Sequence, residues 1–326
     1  MALVVVVPGA GGPGGGSRPG GQRSFGPLSV GPLSAGPLST GPLSVGSASR
    51  RTDPVHRVVA ALSSSVRAAR GPVPRTGDVV LLDFADLFAE RPCDDAAPSG
   101  EAEQLAEELL CGWWTAATRI GRFEAQTDRR RRPAQAAQRP SEPGGEPAAA
   151  AAYCAALGTS PYFRGSPELA GAEAWTLSRY LTDLKLRHEV RDRTLSAILP
   201  DTRVIIAHGL GALVAYEALC ALSDAVSVSF VSLGAAMCGP QQVFTRLEPA
   251  PRNGQGQWPA AIRRWSNVVA HSDPTSMIAP QLTDRFGPGI EDEVVEIKSS
   301  CGELYPYLLD RVVGRAVAAG LGVYPK

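Results

Sequence analysis

Residues 2–7 read ALVVVV, without a single polar position. A strand with one wet face alternates apolar and polar residues, so an unbroken β-branched run belongs to a strand covered on both faces, as in a parallel sheet. Residues 203–207 (RVIIA) read the same way and form the best central strand of the chain. Further strands are predicted at 79–84, 226–233, 265–270 and 294–297. Helical stretches lie between them. Asp53-Pro54 is an N-cap followed by proline at the first helical position, opening a helix to about Arg70 with Val55, Val58, Val59 and Leu62 on one face. Ser99 with Glu103 signals a helix through Trp113 and Trp114 to Arg119. Others are predicted from Ser166-Pro167 to Leu199 with room for a break, over 212–222, over 275–284 and over 304–319. This rhythm predicts an α/β fold: a doubly wound, mostly parallel sheet with helices on both faces.

Two stretches interrupt the rhythm. Between Pro8 and Arg50, Gly and Pro supply 20 of 43 residues, including a pentapeptide repeat whose copies start at Gly26, Gly31, Gly36 and Gly41. Gly and Pro in every unit prevent a helix or a sheet ladder from propagating, so 8–50 is expected to be a repeat loop inserted after the first strand. Residues 121–147, with the arginine run Arg129 to Arg132 and more proline, read as a low-complexity linker or lid. No aromatic residue interleaves with those arginines, which argues for a solvated face over a nucleic-acid patch. The remainder suits one large domain spanning 1–326.

Lys+Arg 32 balance Asp+Glu 32, a net charge of zero that argues against a dedicated nucleic-acid or anionic-membrane partner. The apolar start is too short for a membrane span and has no basic flank, so a cytoplasmic protein is expected. Six cysteines (Cys93, Cys111, Cys154, Cys220, Cys238, Cys301) are scattered without a Cys-x-x-Cys pair, suggesting neither a disulfide framework nor a metal site. No cofactor is expected.

Three junctions are candidates for chemistry. In VIIAHGLGA, residues 204–212, a buried strand turns into a helix within a few residues, with Gly209 and Gly211 in the turn. That is the geometry of a nucleophile elbow, which holds a residue at a strand's carboxyl end beside a helix N-terminus. Here the chain resembles the α/β-hydrolase superfamily. VIIAHGLGALVAYEALCAL is similar to the lipase and esterase elbow Gly-His-Ser-Leu-Gly and its following helix, and the serine of that pattern falls on Gly209. The resemblance spans nearly the whole ordered chain and is nearest to an uncharacterised bacterial branch of hydrolase-like proteins. The branch's first strand ends in His-Gly-x-Gly, whose N–H groups help form the oxyanion hole. Here it ends in Pro8-Gly9-Ala10-Gly11, keeping both glycines and losing the histidine. Residues 83–88 (DFADLF) resemble the branch's Tyr-Gly-Asp-Leu-Phe. After Trp265-Ser266-Asn267-Val268, the family's acid falls on Ala270, with Asp273 matching a second Asp. The segment before Pro306-Tyr307-Leu308 resembles the one bearing the catalytic His, which falls on Gly302.

The resemblance therefore implies a hydrolase scaffold with its nucleophile, base and acid positions replaced by Gly209, Gly302 and Ala270: a pseudoenzyme. Its cleft would be lined by Gly9, Gly11, His208, Gly209 and Leu210, and would serve a small apolar ligand or a protein partner. An alternative is an active carboxylic ester or amide hydrolase with a rebuilt site, Cys301 as nucleophile and His271 with Asp273 as the base pair. His56 and His188 read as helix-surface residues, and His208 as packing beneath the elbow. Finally, Gly9-Ala10-Gly11-Gly12-Pro13-Gly14 fits the dinucleotide fingerprint, but glycine, proline and repeats follow where that mechanism needs a helix N-terminus. Nucleotide binding is not expected.

Overall fold

The computed structural model describes residues 3–9, 53–89, 100–131, 150–160, 162–163, 167–222, 226–271, 273, 278, 281–297 and 303–322. The repeat loop beyond Gly9 and the segment 132–147 lie outside the described residues.

Six strands form one all-parallel sheet in the order β2-β1-β3-β4-β5-β6. They are β1 (Val4–Val7), β2 (Val79–Leu81), β3 (Val204–His208), β4 (Val228–Leu233), β5 (Ile262–Ala270) and β6 (Ile290–Val295). Every residue of β1, β3 and β4 is buried, as unbroken apolar runs require. The period-two alternation of side chains divides these strands between two cores. Val5, Val7, Ile205, Ala207 and Phe230 join one, and Val4, Val6, Val204, Ile206 and Val231 join the other.

The second core is closed by α1 (Pro54–Ala68), α10 (Leu304–Leu309) and α11 (Arg311–Gly322). Asp53 caps α1, its carboxylate accepting from the Val55 N–H at 3.0 Å, with Pro54 at the first helical position. Asp310 splits the single C-terminal helix that periodicity predicts, its carboxylate taking the Val312 N–H at 2.7 Å and so starting α11. The first core is closed by α3 (Gly100–Arg131), α4 (Ala150–Gly158), α5 (Pro167–Thr182), α6 (Leu184–Ala197) and α7 (Leu210–Ala221). Short helices α2 (Ala85–Phe88), α8 (Gln241–Phe244) and α9 (Thr283–Phe286) complete the set.

Several boundaries differ from the sequence expectation. Helix α3 continues through Gly121 to Arg131, so the proposed linker begins helical: one interior glycine costs about 1 kcal/mol, too little to end a helix of 32 residues. Ala150, within the alanine run after Pro147, begins α4 (Ala150–Gly158). Strand β6 starts at Ile290, because the acidic stretch Glu291-Asp292-Glu293 is tolerated on an outermost strand: Glu291 and Glu293 lie 3.8 and 3.7 Å from Arg264 and Arg315. Of the helix expected over 275–284, the described part is α9, starting only at Thr283.

Helix α7 rests directly on the end of β1. A Cβ on Gly211 would run into the backbone carbonyls of Val7 and Pro8. Gly211→Ala is therefore expected to lose about 1–3 kcal/mol through overpacking, read as a lower urea midpoint at unchanged slope.

Candidate functional site at the carboxyl edge of the sheet

Strand β1 lies between β2 and β3, and the chain leaves β1 toward one side and β3 toward the other. A crevice at the carboxyl ends of two such strands is where open parallel sheets hold ligands. The turns there are tied strand to strand. The Gly209 N–H donates to the Leu233 carbonyl at 3.0 Å, the Ala236 N–H to the Gly209 carbonyl at 3.1 Å, and the Gly234 N–H to the Val268 carbonyl at 2.9 Å.

Gly209 has φ 57° and ψ −124°, a conformation that strains an L-residue, and α7 starts at the next residue. Among the described residues, nothing lies within 4 Å of the position a Cβ would take. The junction is thus a tight strand-to-helix turn with no side chain at its apex and no described atom where one would stand. The Leu210 and Gly211 N–H groups, at the start of the helix, have no acceptor inside it. They offer hydrogen bonds toward an anion or carbonyl oxygen held over Gly209.

The polar groups gather one strand further along. Buried Asp273 accepts from the Tyr307 hydroxyl at 3.0 Å, and the same hydroxyl oxygen accepts from the Ala270 N–H at 2.8 Å. Gly234, with φ 47°, makes room for this pair: a Cβ there would stand 2.5 Å from Asp273 Oδ2 and 3.0 Å from the Tyr307 oxygen. Burial, reinforced by the Asp273 charge, pushes the Tyr307 hydroxyl well above its ordinary value, so it remains a donor. The His208 ring packs against Tyr307, centroids 5.5 Å apart. Burial lowers the His208 pKa, with the Asp273 charge pulling the other way, and the imidazole is neutral at pH 7. Half-buried Glu173, on α5, completes the group. Burial raises its pKa from 4.5 to about 7, and the Asp273 charge adds to the shift.

A separate network behind this cluster is structural. Asn267 donates to Asp292 at 2.8 Å, Ser232 to Asn267 at 3.0 Å, and the Trp265 indole to Ser232 at 3.0 Å. Asp292 also accepts from the N–H groups of Leu282 and Thr283, both at 2.9 Å, which anchors α9. Arg285 donates to the carbonyls of Met237 and Gly239 and so fixes the turn after β4. Burial pushes the Cys154 and Cys238 thiols up and the Cys220 thiol up to about 12, which leaves none of the three a ready nucleophile.

Of the residues singled out in the sequence, Gly9, Gly209, Leu210, His208, Ala270 and Asp273 all stand on this edge. Gly9 is half-buried and a Cβ there would sit 3.8 Å from the His208 carbonyl, placing the first turn beside the elbow. Leu210 is buried as the first residue of α7. His208 is buried beneath the elbow, as the periodicity of its strand implies. His271 and Asp273 take different directions: the His271 ring is exposed, while Asp273 turns inward to Tyr307. Gly11, Cys301 and Gly302 lie outside the described residues. Sequence reading passed over Tyr307, Gly234 and Glu173. A glycine at a strand's carboxyl end was a signal for Gly234, whereas nothing local marks Glu173.

Among the described residues no group of three or more His, Cys, Asp or Glu side chains is placed to hold a metal ion, and no helix is long and apolar enough to cross a membrane. Compared with protein-family models, with curated proteins and with solved structures, the chain matches none.

Proposed function

We propose that this chain is a non-hydrolytic member of the α/β-hydrolase superfamily, a pseudoenzyme that binds a small ligand in the crevice at the carboxyl ends of β1 and β3. The observation that carries the reading is Gly209: an elbow backbone, φ 57° and ψ −124°, with space for a side chain and none present. A glycine there cannot form a covalent acyl intermediate. What remains useful at such a junction is binding, through the N–H groups at the start of α7 and the turns around Gly9 and Gly234.

The surrounding groups support binding over proton transfer. His208, buried, neutral and packed on Tyr307, serves as a packing residue. Asp273 accepts a hydrogen bond from Tyr307 where a catalytic acid would accept one from a histidine. Loss of chemistry without loss of scaffold is the pattern expected of a protein that senses a ligand or reports to a partner.

The test is hydrolysis of short- and medium-chain p-nitrophenyl esters by the purified protein. No turnover above the level of a Gly209→Ala control is expected. Turnover that survives repurification and vanishes in Gly209→Ala or Cys301→Ala would overturn the reading in favour of a rebuilt site around Cys301, His271 and Asp273.

A further inference from the structure

We propose that a cavity at the amino edge of the sheet, the edge opposite Gly209, binds a free amino acid with a branched aliphatic side chain, its carboxylate on Arg203 and its ammonium on Asp78. The cavity has a volume of about 140 Å³ and is walled by Leu3, Pro72, Val73, Pro74 and Leu321, together with Arg203 and Asp78. Leu3, Asp78 and Arg203 immediately precede β1, β2 and β3, three neighbouring strands, so the sheet itself fixes their spacing.

The walls are held before any ligand arrives. The Arg203 and Val204 N–H groups both donate to the Leu3 carbonyl, at 2.9 and 3.1 Å. Helix α1 ends with Arg70 at φ 58°, the Arg70 N–H donating to the Arg67 carbonyl and the Gly71 N–H to the Val66 carbonyl. That paired closure turns the chain sharply into Pro72-Val73-Pro74. The chain then passes so close to α11 that a Cβ on Gly71 would collide with the Ala318 side chain. The rings of Pro72 and Pro74 fix φ and stiffen this wall. The Asp78 carboxylate is oriented by the Arg75 N–H, which donates to Oδ2 at 2.8 Å. Little ordering is left for a ligand to impose.

The chemistry of the walls selects the ligand. Arg203 and Asp78 are half-buried, and among the described residues they form no ion pair with each other or with a third group. Opposite charges thus stand unpaired in one small, mostly apolar cavity. An anion alone would meet the Asp78 charge and a cation alone the Arg203 guanidinium, whereas a zwitterion complements both. The guanidinium fork matches a carboxylate, and Asp78 Oδ1 can accept from an ammonium. The volume is near the roughly 150 Å³ of an engineered apolar cavity that holds one benzene, which limits the apolar body to one small side chain.

The experiment titrates the full chain with L-leucine, with isocaproate, which lacks the ammonium, and with isoamylamine, which lacks the carboxylate, by ligand-observed NMR. Leucine is expected to bind at least tenfold more tightly than either analogue. Arg203→Gln is expected to weaken leucine about tenfold, the loss of one charge-assisted hydrogen bond, and to leave isoamylamine no weaker. Asp78→Asn keeps an acceptor for the Arg75 N–H and is expected to weaken leucine to a similar degree while leaving isocaproate no weaker. It also covers the case in which Arg203→Gln fails to fold. No binding of leucine, an analogue that binds as tightly as leucine, or unchanged leucine affinity in either folded variant would overturn the proposal. None of these outcomes touches the reading of Gly209, which the ester panel tests at the other edge.

Discussion

Glu217→Ala is expected to destabilise the protein by about 3–5 kcal/mol, the cost of stripping one partner from a buried ion pair. Glu217 lies on α7 with its side chain fully buried. It accepts from the Tyr180 hydroxyl at 2.7 Å, from Arg187 Nε at 3.0 Å, from Arg187 Nη2, and from the Glu248 N–H at 3.0 Å. Burial and the Glu217 charge push the Tyr180 hydroxyl well above its ordinary value, so it stays a donor throughout the accessible pH range. One carboxylate therefore joins α5, α6, α7 and the turn after α8. Without it the Arg187 guanidinium, 3% exposed, keeps the Arg246 carbonyl and a longer contact of 3.4 Å to half-exposed Glu248. The double variant Arg187→Met with Glu217→Leu is expected to recover most of the loss, because no charge is then left stranded. Urea unfolding of the two singles and the double decides the matter. A double variant as unstable as the sum of the singles would mean that the two side chains are uncoupled, and would sink the stranded-charge account.

The sheet was legible because its signal is chemical and local. Val4 to Val7 and Val204 to Ala207 have no polar position, and only a doubly covered parallel strand accommodates that. The tight turn from β3 into α7 was legible for the same reason, a strand and a helix abutting through glycines, and the structure adds the positive φ of Gly209. What could not be read was whatever depends on the third dimension. Glu173 is an ordinary helix residue in sequence, and its character arises from burial in the fold, to which Asp273, a hundred positions away, adds its charge. Strand β6 was half hidden because residues 291–293 are acidic, and their tolerance follows from being on the outermost strand beside Arg264 and Arg315. The inward turn of Asp273 depends on Gly234 and Tyr307, contributed by two other elements.

Glu173 makes the second large prediction, a pH dependence of stability that one substitution removes. Its pKa in the folded state is about 7 against an ordinary 4.5, so the native state holds the proton more tightly than the unfolded chain. The stabilisation is present in full below about pH 4.5 and is lost as pH rises through 7. Over that window the unfolding free energy is expected to fall by about 2–3 kcal/mol from this group, allowing for its partial exposure to solvent. Glu173→Gln, isosteric and uncharged, is expected to flatten the profile and to leave the protein more stable than wild type at pH 8, with little difference at pH 4. Asp273→Asn is expected to recover only the smaller share, because burial outweighs the like charge. Urea midpoints at pH 4, 6 and 8 for the three proteins separate these effects. Parallel profiles for wild type and Glu173→Gln would place the carboxylate in water and remove it from the carboxyl edge.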